Sequence, residues 1–209
     1  MPKKAIIYDL DNTVYPVSSI GEKLFDPLFR LIEESGKHSA DMEAIKKEVM
    51  RTPFRLVAKQ YRLSDELTAK AIAMQEELIY DEPIDTFEDY PEIKNIEAER
   101  FLVTTGFEKM QRSKIKQMGI EADFKEIHIV NPTLSSKKEV FADILKRYSY
   151  LPDDVLVVGD DPESEIKAAH DLGIETVLYN KFDWHPIKSA TYTINHFKDL
   201  KDIIYNDKK

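Results

Sequence analysis

Short apolar runs alternate with helical patterns through most of this chain, and that alternation constrains the fold more than any other feature. Ala5 to Tyr8, Arg100 to Thr104, Glu126 to Val130, Val155 to Val158 and Thr176 to Leu178 read as strands. A helix is expected from about Glu108 to Met118, with Gly119 as its stop. A second starts at Ser136, where Ser136 and Glu139 form a capping box. Its apolar positions Val140, Phe141, Ile144, Leu145 and Tyr148 recur at helical spacing. A third follows Asp161, with Pro162 in its first turn and Gly173 at its end. Thr191 to Ile194 add an edge strand, and a last helix begins at Lys198. Strands alternating with helices predict the α/β class: a doubly wound, mostly parallel sheet covered on both faces.

One segment breaks the rhythm. From about Tyr15 to Phe87 there is helical periodicity and no convincing strand. Leu24, Leu28, Leu31 and Ile32 mark one apolar face, and Leu67, Ala71, Met74 and Leu78 another. Pro27 should kink the first of these helices or start it. The expected organisation is an α/β core from 1–14 and 88–209 with an all-helical insert over 15–87. An insert rooted beside the end of the first strand is placed to act as a lid.

Composition narrows the partners. The chain has 209 residues and is 42% hydrophobic, enough for a sizeable core. It has no cysteine, which removes disulfides and thiolate chemistry and suits a reducing cytoplasm. No apolar run approaches the ~20 residues that cross a bilayer, and no signal-like apolar segment precedes the first strand, so a membrane is not an expected partner. A net charge of −9 argues against a nucleic-acid polymer, but not against a small phosphate ester held with a cation.

The apolar run Ala5 to Tyr8 ends in Asp9-Leu10-Asp11-Asn12-Thr13. Ligands of open α/β sheets bind beyond the carboxyl ends of the strands. Two carboxylates there, one residue apart, mark a candidate reaction centre. Other strand ends should converge on the same edge. Thr104 and Thr105 close the second strand, and Lys137 sits in the first turn of the capped helix. Asp160 follows Val155 to Val158 through Gly159, and Glu165 lies a few residues on. Taken singly, these are common features: a β-branched strand residue, a surface lysine, an acidic turn. A lysine in a first helical turn, though, runs against the helix dipole.

As an ordered set they are specific, and here the chain resembles the haloacid dehalogenase superfamily in its phosphatase branch. Four motifs match in order over the whole chain: Asp9-Leu10-Asp11-Asn12-Thr13, then Val103-Thr104-Thr105, then Lys137, then Gly159-Asp160-Asp161 followed by Glu165. The resemblance implies a Rossmann-like core, and the helical insert resembles that family's C1-type cap. Asp11-Asn12-Thr13-Val14-Tyr15-Pro16 has a short likeness to a subgroup containing pyrimidine 5′-nucleotidases. Two departures stand out. Glu165 replaces a frequent Asp, and Lys137-Lys138 replaces a frequent Lys-Pro, so the motif lysine is Lys137 or Lys138. The spacing through Phe141 favours Lys137.

The resemblance implies a magnesium-dependent phosphatase acting on a small phosphomonoester, a nucleoside monophosphate among the candidates. Asp9 would attack phosphorus, splitting one displacement into two. Asp11 would protonate the leaving alkoxide and then activate water. Thr104 and Thr105 would hold phosphoryl oxygens, and Lys137 would neutralise charge on the transferring group. The expected Mg2+ ligands are Asp9, Asp160 and the backbone carbonyl of Asp11, oxygen donors that suit a hard cation. Two other readings stay open. A sugar phosphomutase would need further cations, which Arg51, Arg55, Lys59 and Arg62 could provide. A non-catalytic sensor on the same fold would not need Asp11. Tyr15 and Arg55 are candidate substrate contacts, and Phe182, Trp184 and Pro186 candidate entrance residues or a packed loop. The five histidines show no metal-ligand spacing, and the last four residues read as a frayed end. The substrate and the oligomeric state are not legible.

Overall fold

The computed structural model describes residues 3–36, 38, 41–131 and 134–206, which leaves most of the expected frayed end outside the described residues. Six parallel strands form one sheet: β1 (Ala5–Tyr8), β2 (Glu99–Thr105), β3 (Glu126–Val130), β4 (Val155–Gly159), β5 (Glu175–Tyr179) and β6 (Tyr192–Ile194). Their order, β3-β2-β1-β4-β5-β6, reverses direction between β1 and β4. The doubly wound α/β class expected from the alternation is what the chain adopts.

The chain divides into two compact units. The first takes Met1–Tyr15, Asp85–Gly106 and Gly119–Lys209, and holds the sheet. β1 is buried on both faces, none of its residues being more than 1% exposed, which is why it reads as an unbroken apolar run. On one face Ala5, Ile7, Phe101, Val103, Val155 and Val157 pack with Phe141 and Ile144 of α7 (Lys137–Tyr148). On the other, Tyr8 meets Phe124 and Phe197 edge-on. The register sets Tyr8 level with Leu102 of β2 and Val158 of β4, so β1 and β4 end within a residue of each other while β2 runs on to Thr105. Asp89, fully buried in this unit, accepts hydrogen bonds from the Tyr179 hydroxyl and the Phe197 N–H.

The second unit, Pro16–Ile84 with Phe107–Met118, is helical. It contains α1 (Gly21–Leu24), α2 (Asp26–Glu34), α3 (Met42–Val49), α4 (Phe54–Gln60), α5 (Asp65–Glu77) and α6 (Glu108–Met118). Pro27 lies in the first turn of α2, so it starts that helix rather than kinking it. Leu24, Leu28 and Ile32 are buried as the periodicity predicts, while Leu31 is half-exposed. On α5 the buried positions are Leu67, Ala71 and Gln75, with Met74 and Leu78 only half-buried. Gln75 turns its amide to the Ala71 carbonyl, which lets a polar side chain occupy the inner stripe. Helix α6 groups with this unit through Lys109–Glu77 and a bond from the Tyr80 N–H to Ser113 Oγ. Gly119, at φ 66°, ends it. Among the described residues no helix is long and apolar enough to cross a membrane.

Two further elements complete the sheet-bearing unit: α8 (Lys167–His170) and α9 (Leu200–Asn206). Where the sequence reads a single helix after Asp161, the chain makes a five-residue π-helical turn, Pro162–Ile166, before α8. Such turns concentrate at functional sites because they re-aim a side chain within a helix.

Candidate active site

Asp9 follows β1 and Asp160 follows β4, the two strands between which the winding reverses. That crevice is where an open parallel sheet binds its ligands. Lys137 is brought there by α7, whose start is set by a complete capping box between Ser136 and Glu139. Its ammonium lies 2.7 Å from Asp9 Oδ1 and 2.7 Å from Glu165 Oε2. All three side chains are buried. Lys138, by contrast, is on the surface 3.4 Å from Asp171, so Lys137 is the lysine that faces the carboxylates.

Glu165 is held from both ends, since its Oε1 accepts the Asp161 N–H at 2.7 Å. Its side chain lies across Gly159. A Cβ on that residue would come within 2.2 Å of Glu165 Oε1, so only glycine leaves room. The longer acid in place of Asp is thus accommodated by the π-helical turn and a glycine floor together.

One carboxylate oxygen from each of Asp9, Asp160 and Glu165 falls within 4.8 Å of the others. Three acids set against the Lys137 ammonium leave surplus negative charge. Burial pushes Asp9 up to about 7; Lys137 opposes that push, and the Glu165 and Asp11 charges add to it. Asp160 is raised well above the usual carboxylate range by burial and then by the charges of Glu165 and Asp9. Burial favours the neutral form of Lys137, but Asp9 and Glu165 outweigh it and keep the ammonium charged. A group of hard oxygen donors with too little positive charge fits a divalent cation. Glu165 already spends both oxygens on protein donors, so Asp9 and Asp160 are the better placed to hold one.

The loop after β1 turns back on itself. The N–H groups of Thr13 and Val14 both reach the Leu10 carbonyl, and Asn12 sits at φ 55°, a conformation Asn tolerates. Thr13 donates its hydroxyl to Asp160 Oδ1 at 3.2 Å. Asp11 is not one of those three acids, and its Oδ1 accepts the Tyr15 hydroxyl at 2.6 Å. Tyr15 is wholly buried, with its hydroxyl turned to Asp11, the acid beside which a substrate contact was expected of it. Thr104, buried, and Thr105, half-buried, lie at the carboxyl end of β2 on the same edge of the sheet.

Arg51, Arg55, Lys59 and Arg62 are exposed on the helical unit, Arg55 beside an open groove lined by Asp65, Thr68 and Ile72. Phe182 stacks on Trp184 and leans on Phe87 yet stays exposed, in the segment that follows the carboxyl end of β5; Asn180 clamps that segment by bonding both the N–H and the carbonyl of His185. No histidine joins the acid group among the described residues. Thr13 and Gly159 received no role from the sequence. The signals for them were a hydroxyl two residues after Asp11 and a glycine just before Asp160.

The sheet order and the acids and lysine at its switch point define an α/β protein with a charged site at the carboxyl edge of its sheet. Comparison agrees: residues 6–179 match the family model described as haloacid dehalogenase-like hydrolase, and the chain belongs to that family. It is 26% identical over 229 residues to the glyceraldehyde 3-phosphate phosphatase of Methanocaldococcus jannaschii, covering 99% of each chain. Among solved structures it is similar to a HAD phosphatase from Thermococcus onnurineus, with a TM-score of 0.63 and 18% identity over 99% of this chain and 100% of that one. It is also similar to YfnB, a magnesium-bound protein of the superfamily from Bacillus subtilis, with a TM-score of 0.65 and 18% identity over 98% and 100%.

Proposed function

We propose that this chain is a phosphatase that hydrolyses a small phosphomonoester with Asp9 as nucleophile. The observation that carries the reading is the buried contact of Lys137 with Asp9, set among acids that exceed it in charge. Lys137 holds Asp9 Oδ1, so attack on phosphorus falls to Oδ2. As the Asp9–phosphorus bond forms, the bond from phosphorus to the ester oxygen breaks, and Asp11 passes a proton to that oxygen. In the second step Asp11 takes a proton from water, the water oxygen attacks phosphorus, and the bond to Asp9 breaks to release phosphate. Lys137 offsets charge on the transferring group, and Thr104 and Thr105 hold its oxygens. Asp9 and Asp160 would hold a divalent cation, which we take to be Mg2+, and it would supply the positive charge that lets a dianionic ester approach these acids. We read the helical unit, inserted in the chain after Tyr15, as the family's substrate-selecting cap.

The substrate class is supported by the relative named a glyceraldehyde 3-phosphate phosphatase, which puts a triose phosphate first among candidates. The absence of cysteine suits a reducing compartment such as the cytoplasm. The test is a phosphate-release screen over glyceraldehyde 3-phosphate, other sugar phosphates, phosphoglycolate and nucleoside monophosphates, with Mg2+ and with chelator. Magnesium-dependent release from at least one small ester is expected. No release from any of them, or transfer of phosphate between sugar hydroxyls in place of release, would overturn the reading.

A further inference from the structure

We propose that Tyr15 is a positioning residue for Asp11, aiming the carboxyl that exchanges the proton in the reaction above; the inference rests on the phosphatase reading. The sequence holds two tyrosines near the first motif, and they behave differently. Tyr8 is a strand residue packed between Phe124 and Phe197. Tyr15 lies four residues after Asp11, too far for its place to be set by strand alternation. The tight turn through Asn12 brings it back, and Asp11 and Tyr15 pair as an isolated β-bridge. The Phe87 N–H, bonded to the Val14 carbonyl at 2.9 Å, anchors the returning chain. Tyr15 is 0% exposed, so its ring is fixed by packing and its hydroxyl has one position to offer. That position is 2.6 Å from Asp11 Oδ1, the length of a hydrogen bond to a charged acceptor.

The same loop repeats the device two residues earlier, where Thr13 donates to Asp160. One short return of chain therefore orients two carboxylates, one from each side of the switch point. Asp11 is the one that needs aim. Its proton must meet the departing ester oxygen, and small misplacements of a catalytic group cost rate steeply.

Tyr15→Phe keeps the ring and removes the donor. Two substrates separate aiming from packing. An alkyl phosphate needs a proton on its leaving oxygen, whereas 4-nitrophenyl phosphate does not. The burst of nitrophenolate, and single-turnover release from glycerol phosphate, each report the first step alone. For Tyr15→Phe we expect a loss of roughly 10-fold in the single-turnover rate on the alkyl ester, with the half-saturating concentration unchanged, and no more than about 2-fold in the aryl burst, a fraction of what losing the acid altogether would cost. In the Asp11→Asn background the same substitution should change neither rate, because its effect passes through Asp11. Equal losses on the two esters, no loss on either, an effect that persists with Asp11→Asn, or a variant that no longer melts cooperatively would each overturn the assignment. If the wild type cleaves neither these esters nor any of the panel above, the phosphatase reading fails and this assignment with it. Cleavage by the wild type with equal losses removes Tyr15 alone.

Discussion

Lys137 and Asp9 are separated by 128 residues of chain, yet the ammonium of one lies 2.7 Å from Oδ1 of the other. Glu165 shares the same ammonium, so the lysine is the meeting point of the first, third and fourth motifs. Breaking a buried pair by removing one partner is costly because the other charge stays behind. Lys137→Ala should therefore abolish phosphate release and destabilise the metal-free protein by about 3 kcal/mol at neutral pH. Urea melts with and without Mg2+ check this. Part of the loss should return with the cation, which would replace some of the missing positive charge, and a variant as stable as wild type in chelator would contradict the account.

Asp9→Asn should leave the fold intact and stop turnover, because an amide does not attack phosphorus. A drop of at least ~10²-fold in phosphate release is expected, alongside an unchanged far-ultraviolet spectrum. Retention of more than about a hundredth of wild-type activity would remove Asp9 from the nucleophile's role.

The surplus of acid over base at Asp9, Asp160 and Glu165 leads to a metal prediction with a thermal readout. Magnesium should raise the melting temperature of the wild type, since a ligand that binds only the folded state stabilises it by mass action. It should do so far less for Asp160→Ala. Activity should vanish with chelator and return with Mg2+, with Ca2+ a poor substitute because its looser coordination can engage both oxygens of Asp9. Glu165→Ala should shift the magnesium requirement less than Asp160→Ala. Full activity after exhaustive chelation would sink the mechanism.

Away from the site, Glu126 accepts both Arg147 Nη atoms, at 2.7 and 2.6 Å, together with the Tyr148 hydroxyl. The Arg147 hydrogen bonds hold its carboxyl well below the usual range, more than offsetting the upward push of desolvation. A carboxyl lowered in the folded state adds stability above its unfolded pKa, and loses it as the pH falls through the folded value. Glu126→Gln should thus cost about 1 kcal/mol at pH 7, a figure discounted for partial exposure. The gap from wild type should narrow steadily below about pH 4. Melts across pH 2.5 to 8 test it; a gap that stays constant would mean the loss is one of packing and not of charge.

Much of the fold was legible along the chain. The apolar runs place all six strands to within a residue or so of their ends, and Ser136 with Glu139 sets the start of α7. These features depend on neighbours a few residues apart, so local pattern suffices. The ordered motifs put Asp9, Thr104, Lys137 and Asp160 at strand ends or a helix start for the same reason. Contacts between distant segments had to wait for the folded chain. Which lysine faces Asp9 is decided by the rotation of α7 against the sheet. Glu165 reaches Lys137 only because a π-helical turn and the bare Gly159 make space, where the periodicity alone described an ordinary helix. Tyr15 reads as a substrate contact by its place at the head of the insert, and only the fold shows that the turn at Asn12 brings its hydroxyl to Asp11. Sequence alone thus determined the class, the strands and the chemical types at their ends. Tertiary structure decided which of those groups meet, because hydrogen bonds and ion pairs join atoms within about 3 Å and the sheet register and loop reversals that bring atoms so close are properties of the whole fold.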